Sequence, residues 1–112
     1  MSDFPLYALS EEHQAIREAV RAVADAKIAP FAAEVDEEAR YPHEAAAALL
    51  ASDFHAPHVP EQYGGAGAGY LEYAMVVEEL GAACGSTGLS YAAHNSLGCG
   101  PIVYFGTEEQ KQ

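Results

Sequence analysis

Four glycines stand close together in EQYGGAGAGYLEY, residues 61–73, just before a segment with helical spacing. Backbone amides at a glycine-rich helix start can hold a phosphate. A dinucleotide-binding loop needs G-x-G-x-x-G after a strand, and a P-loop needs a lysine. Here the glycines are residues 64, 65, 67 and 69, with no strand pattern before them and no lysine nearby. A tight turn is therefore favoured over a phosphate site, because glycine adopts backbone angles that other residues resist.

Two pairs of side chains also suggest chemistry. His55 and His58 form H-x-x-H beside prolines, but metal sites usually need three or four ligands and no cysteine or other obvious ligand lies nearby in sequence. Ser90 and His94 share a helix face at i, i+4, and a serine beside a histidine suggests a nucleophile and its base. No acid is near them and no sharp turn carries the serine, so a hydrogen-bonding role between helices is favoured.

Two adjacent edges of the same predicted helix repeat every four residues, and small side chains recur on them. Gly88, Ala92 and Ser96 step by four along one edge, and Leu89, Ala93 and Leu97 step by four along the next. Small residues allow close approach of either another helix or a bound ligand. The helix is favoured, since buried faces of small residues are usually core packing.

The charge pattern excludes several partners. The chain has five Lys plus Arg against seventeen Asp plus Glu, a net charge of −12, and no Lys or Arg between Arg40 and Lys111. Nucleic acid is excluded because phosphate contacts supply most of that affinity, and an anionic membrane surface would repel the chain. The uncharged run 81–107 holds six glycines, a proline and several polar residues, which predicts a buried segment and not a membrane span.

The cysteines and the N-terminal residues indicate the cellular compartment of the protein. Cys84 and Cys99 stand fifteen positions apart without C-x-x-C, which predicts reduced thiols and neither a disulfide framework nor a zinc site. The N-terminus lacks the basic and apolar regions of a secretory signal. We therefore expect a cytoplasmic location.

The elements that must position these residues all read as helices within one domain of 112 residues. Ser10 is the predicted N-cap of a first helix that runs to about Lys27. Pro30 and Pro42 can each open a further helix, since proline is tolerated in the first turn.

A fourth helix is predicted from about Tyr70, with an apolar stripe on one side and Glu72 and Glu79 on the other. Ser86 or Thr87 can cap a fifth helix, GLSYAAHNSLG, which the glycines and proline of residues 98–101 should interrupt. PIVYF predicts a short helix, and Thr107 with Gln110 predicts a capping box at a last one. Because that helix has barely begun at residue 112, the pattern predicts a piece of a longer protein.

Several segments, in this order, form a recognisable series: LSEEHQAIREAVRAVADAKIAPFAAEVD, VPEQYGG, VVEEL, HNSLGCGPI and FGTEEQK. Together they closely resemble the N-terminal helical domain of acyl-CoA dehydrogenases, over nearly the whole chain. The resemblance implies an all-α helical-bundle domain, residues 1–112, of about five to seven helices, with a middle β domain and a C-terminal helical domain beyond it. ASDFHAPHVP departs from the commoner family form at Asp53 and His55, so the path of that loop stays open.

The resemblance also implies an activity. Members of this family are FAD-dependent oxidoreductases in which a glutamate removes a proton next to the thioester of an acyl-CoA and a hydride passes to the flavin. The product is the 2,3-enoyl-CoA, the electron acceptor is electron-transferring flavoprotein, and the usual assembly is a homotetramer. No residue here matches the family's catalytic glutamate or flavin-contacting segment. We therefore expect residues 1–112 alone to hold no FAD and to be inactive.

One part of the family's acyl pocket does fall within this chain. The helix matching GLSYAAHNSLG forms a wall beside the acyl tail in the family, which points to Leu89, Ser90, Ala93 and Leu97 as substrate-binding residues. The resemblance is closest to isovaleryl-type and other short-chain members, and Leu89 would shorten the pocket while Ala93 leaves width. Short or branched acyl chains are therefore expected. The alternative is a stand-alone acidic helical module that binds a protein partner and does no chemistry.

Overall fold

The computed structural model describes residues 5–112, and every regular element among them is helical. Five continuous helical runs lie between residues 11 and 111, which confirms the expected all-α fold. The α-helices are α1 Glu11–Val23, α2 Ala32–Glu37, α3 His43–Ala51, α4 Tyr70–Ala83, α5 Gly85–Ala92, α6 Gly100–Phe105 and α7 Glu108–Lys111. Two of the runs contain π-helical turns, Ala24–Ile28 between α1 and α2 and Ala93–Cys99 between α5 and α6. Three short 3-10 turns, Pro5–Tyr7, Ala29–Phe31 and Glu61–Tyr63, complete the helical structure.

Two predicted helix starts are confirmed. Ser10 Oγ accepts a hydrogen bond from the backbone N–H of His13 at 3.2 Å. Thr107 Oγ1 accepts from the N–H of Gln110 at 3.3 Å, and Gln110 Oε1 accepts from the N–H of Thr107 at 2.9 Å. Each cap satisfies backbone donors that the first helical turn leaves unpaired.

Two other predicted boundaries are wrong. Neither Ser86 nor Thr87 caps α5: the extended backbone of Cys84, φ −158°, separates α4 from α5, and Thr87 is buried inside the helix. The glycines and proline of residues 98–101 do not interrupt the helical run either. The N–H of Gly100 donates to the carbonyl of Asn95, five residues back, and Pro101 follows directly in α6, so the run continues through a π turn at this point.

The core lies where α1, α3, α4 and α5 meet. Its fully buried large side chains include Val20, Ile28, Val76 and Leu80. Phe31, Phe54, Tyr73 and Val77 pack against this cluster from partly buried positions. Burial of each such side chain contributes about 1.5–3 kcal/mol, so these contacts fix how α5 sits against the rest.

Ion pairs join α1 to α4 on the side of α4 that was expected to be polar. Glu79 is only 7% exposed, and Arg21 donates to both of its carboxylate oxygens, Nε to Oε2 at 2.9 Å and Nη2 to Oε1 at 2.8 Å. His13 Nε2 lies 2.9 Å from Glu72 Oε1. This side of α4 is therefore covered, because α1 supplies the cations that make a buried carboxylate acceptable.

None of the helices within residues 5–112 combines the length and the apolar character that a bilayer crossing requires.

Candidate functional site

The glycine loop, residues 64–69, folds onto the segment before it. A Cβ on Gly65 would lie 2.0 Å from the carbonyl oxygen of Val59, so only glycine fits there. Gly64 and Gly67 have φ of +90° and +63°, the left-handed region that glycine tolerates. Four successive N–H groups of the loop donate to backbone carbonyls: Gly65 to Pro60, Ala66 to Ala56, Gly67 to Val59 and Ala68 to Pro57.

The tight-turn interpretation of this loop is thereby confirmed. The amides of residues 64–68 are already paired with backbone carbonyls, and a phosphate would need them free. No arginine or lysine is present between residues 41 and 110 to neutralise the diphosphate of a dinucleotide. The residues of this loop do not fit a flavin nucleotide.

Gly88 and Ala92, on the edge with the smallest residues, contact α4, whereas Ser96 on the same edge is exposed. A Cβ on Gly88 would lie 2.8 Å from the Cα of Gly81, so the two backbones touch at this point. Further along, the hydroxyl of Tyr73 donates to the carbonyl of Ala92 at 3.1 Å. Helix packing, and not a ligand, therefore explains the glycine at position 88.

The neighbouring edge faces outward. Leu89 is 73% exposed and Leu97 is 76% exposed, with the half-buried Ala93 between them. All three lie on one continuous helical run, because the π segment Ala93–Cys99 carries the helix past the point where a break was predicted. The structure thus presents two large leucines flanking a small residue, uncovered by any described residue.

Ser90 lies on a different face from this edge. It borders a cavity of about 220 Å³ between α3 and α5, together with Ala45 and Leu49 from α3 and Thr87 and His94 from the other wall. Leu89 and Ser90 also both border a hollow beside Tyr41 and Pro42. The four predicted residues are therefore divided between an open apolar edge and a cavity next to it.

The pairing of Ser90 with His94 does not form a hydrolytic site. Both side chains border the 220 Å³ cavity, but no acidic residue lines it and no hydrogen bond joins them within residues 5–112. A serine nucleophile needs a base that a third group orients. The arrangement of the described residues lacks that third group.

Two buried polar residues were missed by sequence reasoning. Thr87 is 2% exposed, its Oγ1 has no hydrogen-bond partner within residues 5–112, and it borders the 220 Å³ cavity. Asn95 is fully buried, and its Nδ2 donates to the carbonyls of His55 at 3.2 Å and Tyr91 at 3.1 Å. The available signal was an amide inside an uncharged helical run, which needs a partner when buried.

Tyr91 fixes the loop after α3 from the same helix. Its hydroxyl donates to the carbonyl of Phe54 at 2.6 Å, and burial raises its pKa well above the usual range. The tyrosine therefore stays protonated and keeps donating at any physiological pH. Together with Asn95 it holds the path of residues 53–59, which the sequence left open.

The two histidines of the H-x-x-H motif make different contacts. His58 lies against the rings of Tyr70 and Tyr73, with ring centroids 6.3 and 5.4 Å apart, whereas the carbonyl of His55 receives Asn95. Within residues 5–112 no group of three His, Cys, Asp or Glu side chains could hold a metal ion.

Further apolar side chains are exposed at the ends of α4 and α6. The hydroxyls of Tyr70 and Tyr104 are hydrogen-bonded to each other, which brings these two helices together. Phe105 is 88% exposed and Tyr104 60% exposed. Exposed apolar patches of this kind usually mark surfaces that contact other parts of a protein or a ligand.

These features define a class of domain: an all-α bundle whose glycine loop serves packing and whose fifth helix leaves an apolar edge uncovered. Residues 10–112 match the family described as acyl-CoA dehydrogenase, N-terminal domain. The chain therefore belongs to the acyl-CoA dehydrogenase family, as the sequence resemblance implied.

Individual relatives agree. The chain is 47% identical over 106 residues to the probable acyl-CoA dehydrogenase YngJ of Bacillus subtilis, covering 95% of this chain and 28% of that protein. It is 42% identical over 104 residues to the mitochondrial short-chain specific acyl-CoA dehydrogenase of Bos taurus, covering 93% of this chain and 25% of that protein.

A solved structure shows the same fold. A chain from a structure described as an electron transferring flavoprotein of Acidaminococcus fermentans superposes with a TM-score of 0.84 at 35% identity, covering 99% of this chain and 28% of that chain. The present chain thus spans about a quarter of the length of the relatives it matches.

Proposed function

We propose that the protein carrying this chain is an FAD-dependent acyl-CoA dehydrogenase that oxidises an acyl-CoA to the 2,3-enoyl-CoA. Within it, this domain forms one wall of the acyl-chain pocket with Leu89, Ser90, Ala93 and Leu97. The observation that carries the proposal is the outward-facing edge of α5 and the π segment that follows it, where Leu89 and Leu97 are 73% and 76% exposed. Membership of the family supports the reaction class.

The edge suits a hydrocarbon on physical grounds. Covering a leucine side chain with an apolar partner is favourable by about 1.5–3 kcal/mol. No residue between 81 and 107 carries a formal charge, so an acyl tail laid on this edge would desolvate no ion. These residues would bind and orient the tail and exclude water from it.

Side-chain size along the edge sets the preferred substrate. The bulk of Leu89 limits how far a straight chain extends, and Ala93 leaves room for a branch beside it. Ser90 adds one small hydroxyl at the border of the 220 Å³ cavity. Short or branched acyl groups therefore fit best, although one methylene changes binding by only about 1–3 kcal/mol.

The flavin and the nucleotide end of coenzyme A are assigned to other parts of the protein. Both carry phosphates, whereas the amides of residues 64–68 are already paired and no arginine or lysine stands near the glycine loop in sequence to receive them. FAD supplies the hydride acceptor of the reaction when bound there. The exposed side chains of Tyr104 and Phe105 are proposed to pack against those further domains. We also propose that the complete protein forms a homotetramer and passes its electrons to electron-transferring flavoprotein.

A substrate panel on the complete protein tests the wall. Dye reduction is followed with straight acyl-CoA thioesters of four to twelve carbons and with isovaleryl-CoA, for the unaltered protein and for Ala93→Phe. A phenyl ring at position 93 should lower kcat/KM for isovaleryl-CoA and longer chains by at least about tenfold, and less for the shortest chain.

Ala47→Phe is the matched control, because Ala47 is exposed on α3 and borders the groove against α1. It should leave the chain-length profile unchanged. Equal profiles for both variants would remove Ala93 from the pocket, and absence of any acyl-CoA oxidation by the complete protein would refute the proposed activity.

A further inference from the structure

The π segment Ala93–Cys99 brings two reactive side chains together. In an α-helix with 3.6 residues per turn, residues five apart point about 140° away from each other. The wider π turn, with hydrogen bonds from residue i to i+5, reduces that angle. Here His94 Nε2 lies 3.5 Å from Cys99 Sγ, within contact distance for a thiol and an imidazole.

Both side chains open onto a cavity that the acyl edge does not use. This cavity, about 320 Å³, lies between the π segment, α6 and the loop after α3, and its walls include His55, Val59, Tyr63, Ile102 and Lys111. The Nδ1 atom of His55 is buried without a hydrogen-bond partner among residues 5–112. The volume falls at the lower end of the range for small-molecule sites, so part of a small ligand fits.

We propose that Cys99 is a modification site, at which the thiol forms a mixed disulfide with a small-molecule disulfide and His94 accepts the thiol proton. Cys99 Sγ attacks one sulfur of the incoming disulfide. The sulfur–sulfur bond of that molecule breaks, a new bond forms to Sγ, and the departing thiolate takes the proton that His94 received. The Cys99 sulfur is oxidised, and the released half of the small molecule is reduced to a thiol.

The surroundings of Cys99 make the histidine necessary. Burial raises the pKa of the Cys99 thiol, so at neutral pH it is protonated, whereas only the thiolate attacks a disulfide. Other titratable groups on the cavity walls are His55, Tyr63 and Lys111, and Lys111 Nζ lies 3.4 Å from Glu108 Oε1. Of these groups, His94 is the one in direct contact with the sulfur.

Cys84 provides an internal comparison. It is 7% exposed, belongs to the hydrophobic core cluster and does not border the 320 Å³ cavity. No imidazole contacts its sulfur within the described residues. The two thiols of one chain should therefore react very differently.

The modification would reach the proposed acyl wall. The π segment that carries Cys99 also carries Ala93 and Leu97, so a group attached at Cys99 would press on the segment behind them. This consequence rests on the proposed function, whereas the modification itself does not.

The test treats the complete protein with glutathione disulfide and measures the adduct at each cysteine by peptide mass spectrometry, without any activity assay. Cys99 should be modified at least about tenfold faster than Cys84, and His94→Gln should lower the Cys99 rate at least about fivefold. Ser96→Ala, an exposed position in the same π segment, is the control and should leave both rates unchanged. Equal rates at the two cysteines, or equal effects of the two substitutions, would overturn the proposal.

A second measurement covers the case in which His94→Gln loosens the fold and both cysteines react faster. The rate at Cys99 is then divided by the rate at Cys84 in each variant, because a loosened fold raises both rates. A lower ratio in His94→Gln than in the unaltered protein supports the proposal. An unchanged ratio refutes the role of His94, and no adduct at Cys99 refutes the site.

Discussion

Arg21 binds the carboxylate of Glu79 through two parallel hydrogen bonds, from Nε at 2.9 Å and from Nη2 at 2.8 Å. The two residues are 58 positions apart in sequence. The carboxylate is buried and the arginine stem lies at the surface of α1. Charge-assisted pairs of this geometry are stronger than neutral hydrogen bonds. This contact fixes the register of α1 on α4, and through α4 the position of α5.

Glu79→Gln should destabilise the protein. The substitution keeps the shape of the side chain but removes the charge that Arg21 and Arg17 approach, at a cost of about 1–3 kcal/mol. The urea midpoint measures the loss. Glu78→Gln is the matched control, because Glu78 is exposed and makes a single contact with Arg17, and its effect should stay below about 1 kcal/mol. Equal midpoints for the two variants would contradict the assigned importance of Glu79.

The same carboxylate predicts a sign for the acid dependence of stability. The hydrogen bond from Arg21 holds the pKa of Glu79 below its usual value, so the unfolded chain binds the proton more readily than the folded one. The stabilisation is fully present above the unfolded pKa of about 4.3 and is lost as pH falls toward the lower folded pKa. Unfolding free energies between about pH 3 and 6 should therefore decline less steeply in Glu79→Gln than in the unaltered protein. Parallel curves would show that another carboxylate dominates.

The contact of α4 with α5 predicts opposite effects at two glycines. Gly88→Ala would place a Cβ 2.8 Å from the Cα of Gly81 and should cost about 1–3 kcal/mol through overpacking. Gly81→Ala meets no atom within 4 Å inside a helix and should stabilise by about 0.5–1 kcal/mol. Thermal unfolding of both variants checks the direction. A stabilising Gly88→Ala would mean that the helices are further apart than described.

Asn95 predicts a local effect on the loop after α3. Asn95→Ala removes the donor to the carbonyls of His55 and Tyr91 and should cost about 1–3 kcal/mol, because the carbonyl of His55 loses a side-chain partner that cannot be replaced locally. Hydrogen exchange of residues 53–59 should accelerate more than that of α1. Ser96→Ala, at the exposed neighbouring position, should change stability by less than about 0.5 kcal/mol. Uniform acceleration over the whole chain would instead indicate a global effect.

The candidate site shows where sequence reasoning succeeded and where it stopped. Two edges that repeat every four residues were visible over residues 88–97, but spacing alone could not assign one to a helix and the other to solvent. The close approach of Gly88 to Gly81 decides the first, and the exposure of Leu89 and Leu97 decides the second. Thr87 was misassigned to a cap, because nothing in its sequence neighbours reveals that this residue is only 2% exposed.

By itself, the sequence determined the features that depend on residues a few positions apart. The Ser10 cap, the Thr107–Gln110 capping box and the all-α class follow from hydrogen bonds and periodicity within one or two turns. Only the tertiary structure decided the burial of Glu79, the π turn that joins His94 to Cys99, and the outward direction of Leu89 and Leu97. These features depend on which side chains distant in sequence pack together. Local residue spacing does not reveal that packing, because its free energy comes from contacts between separate helices.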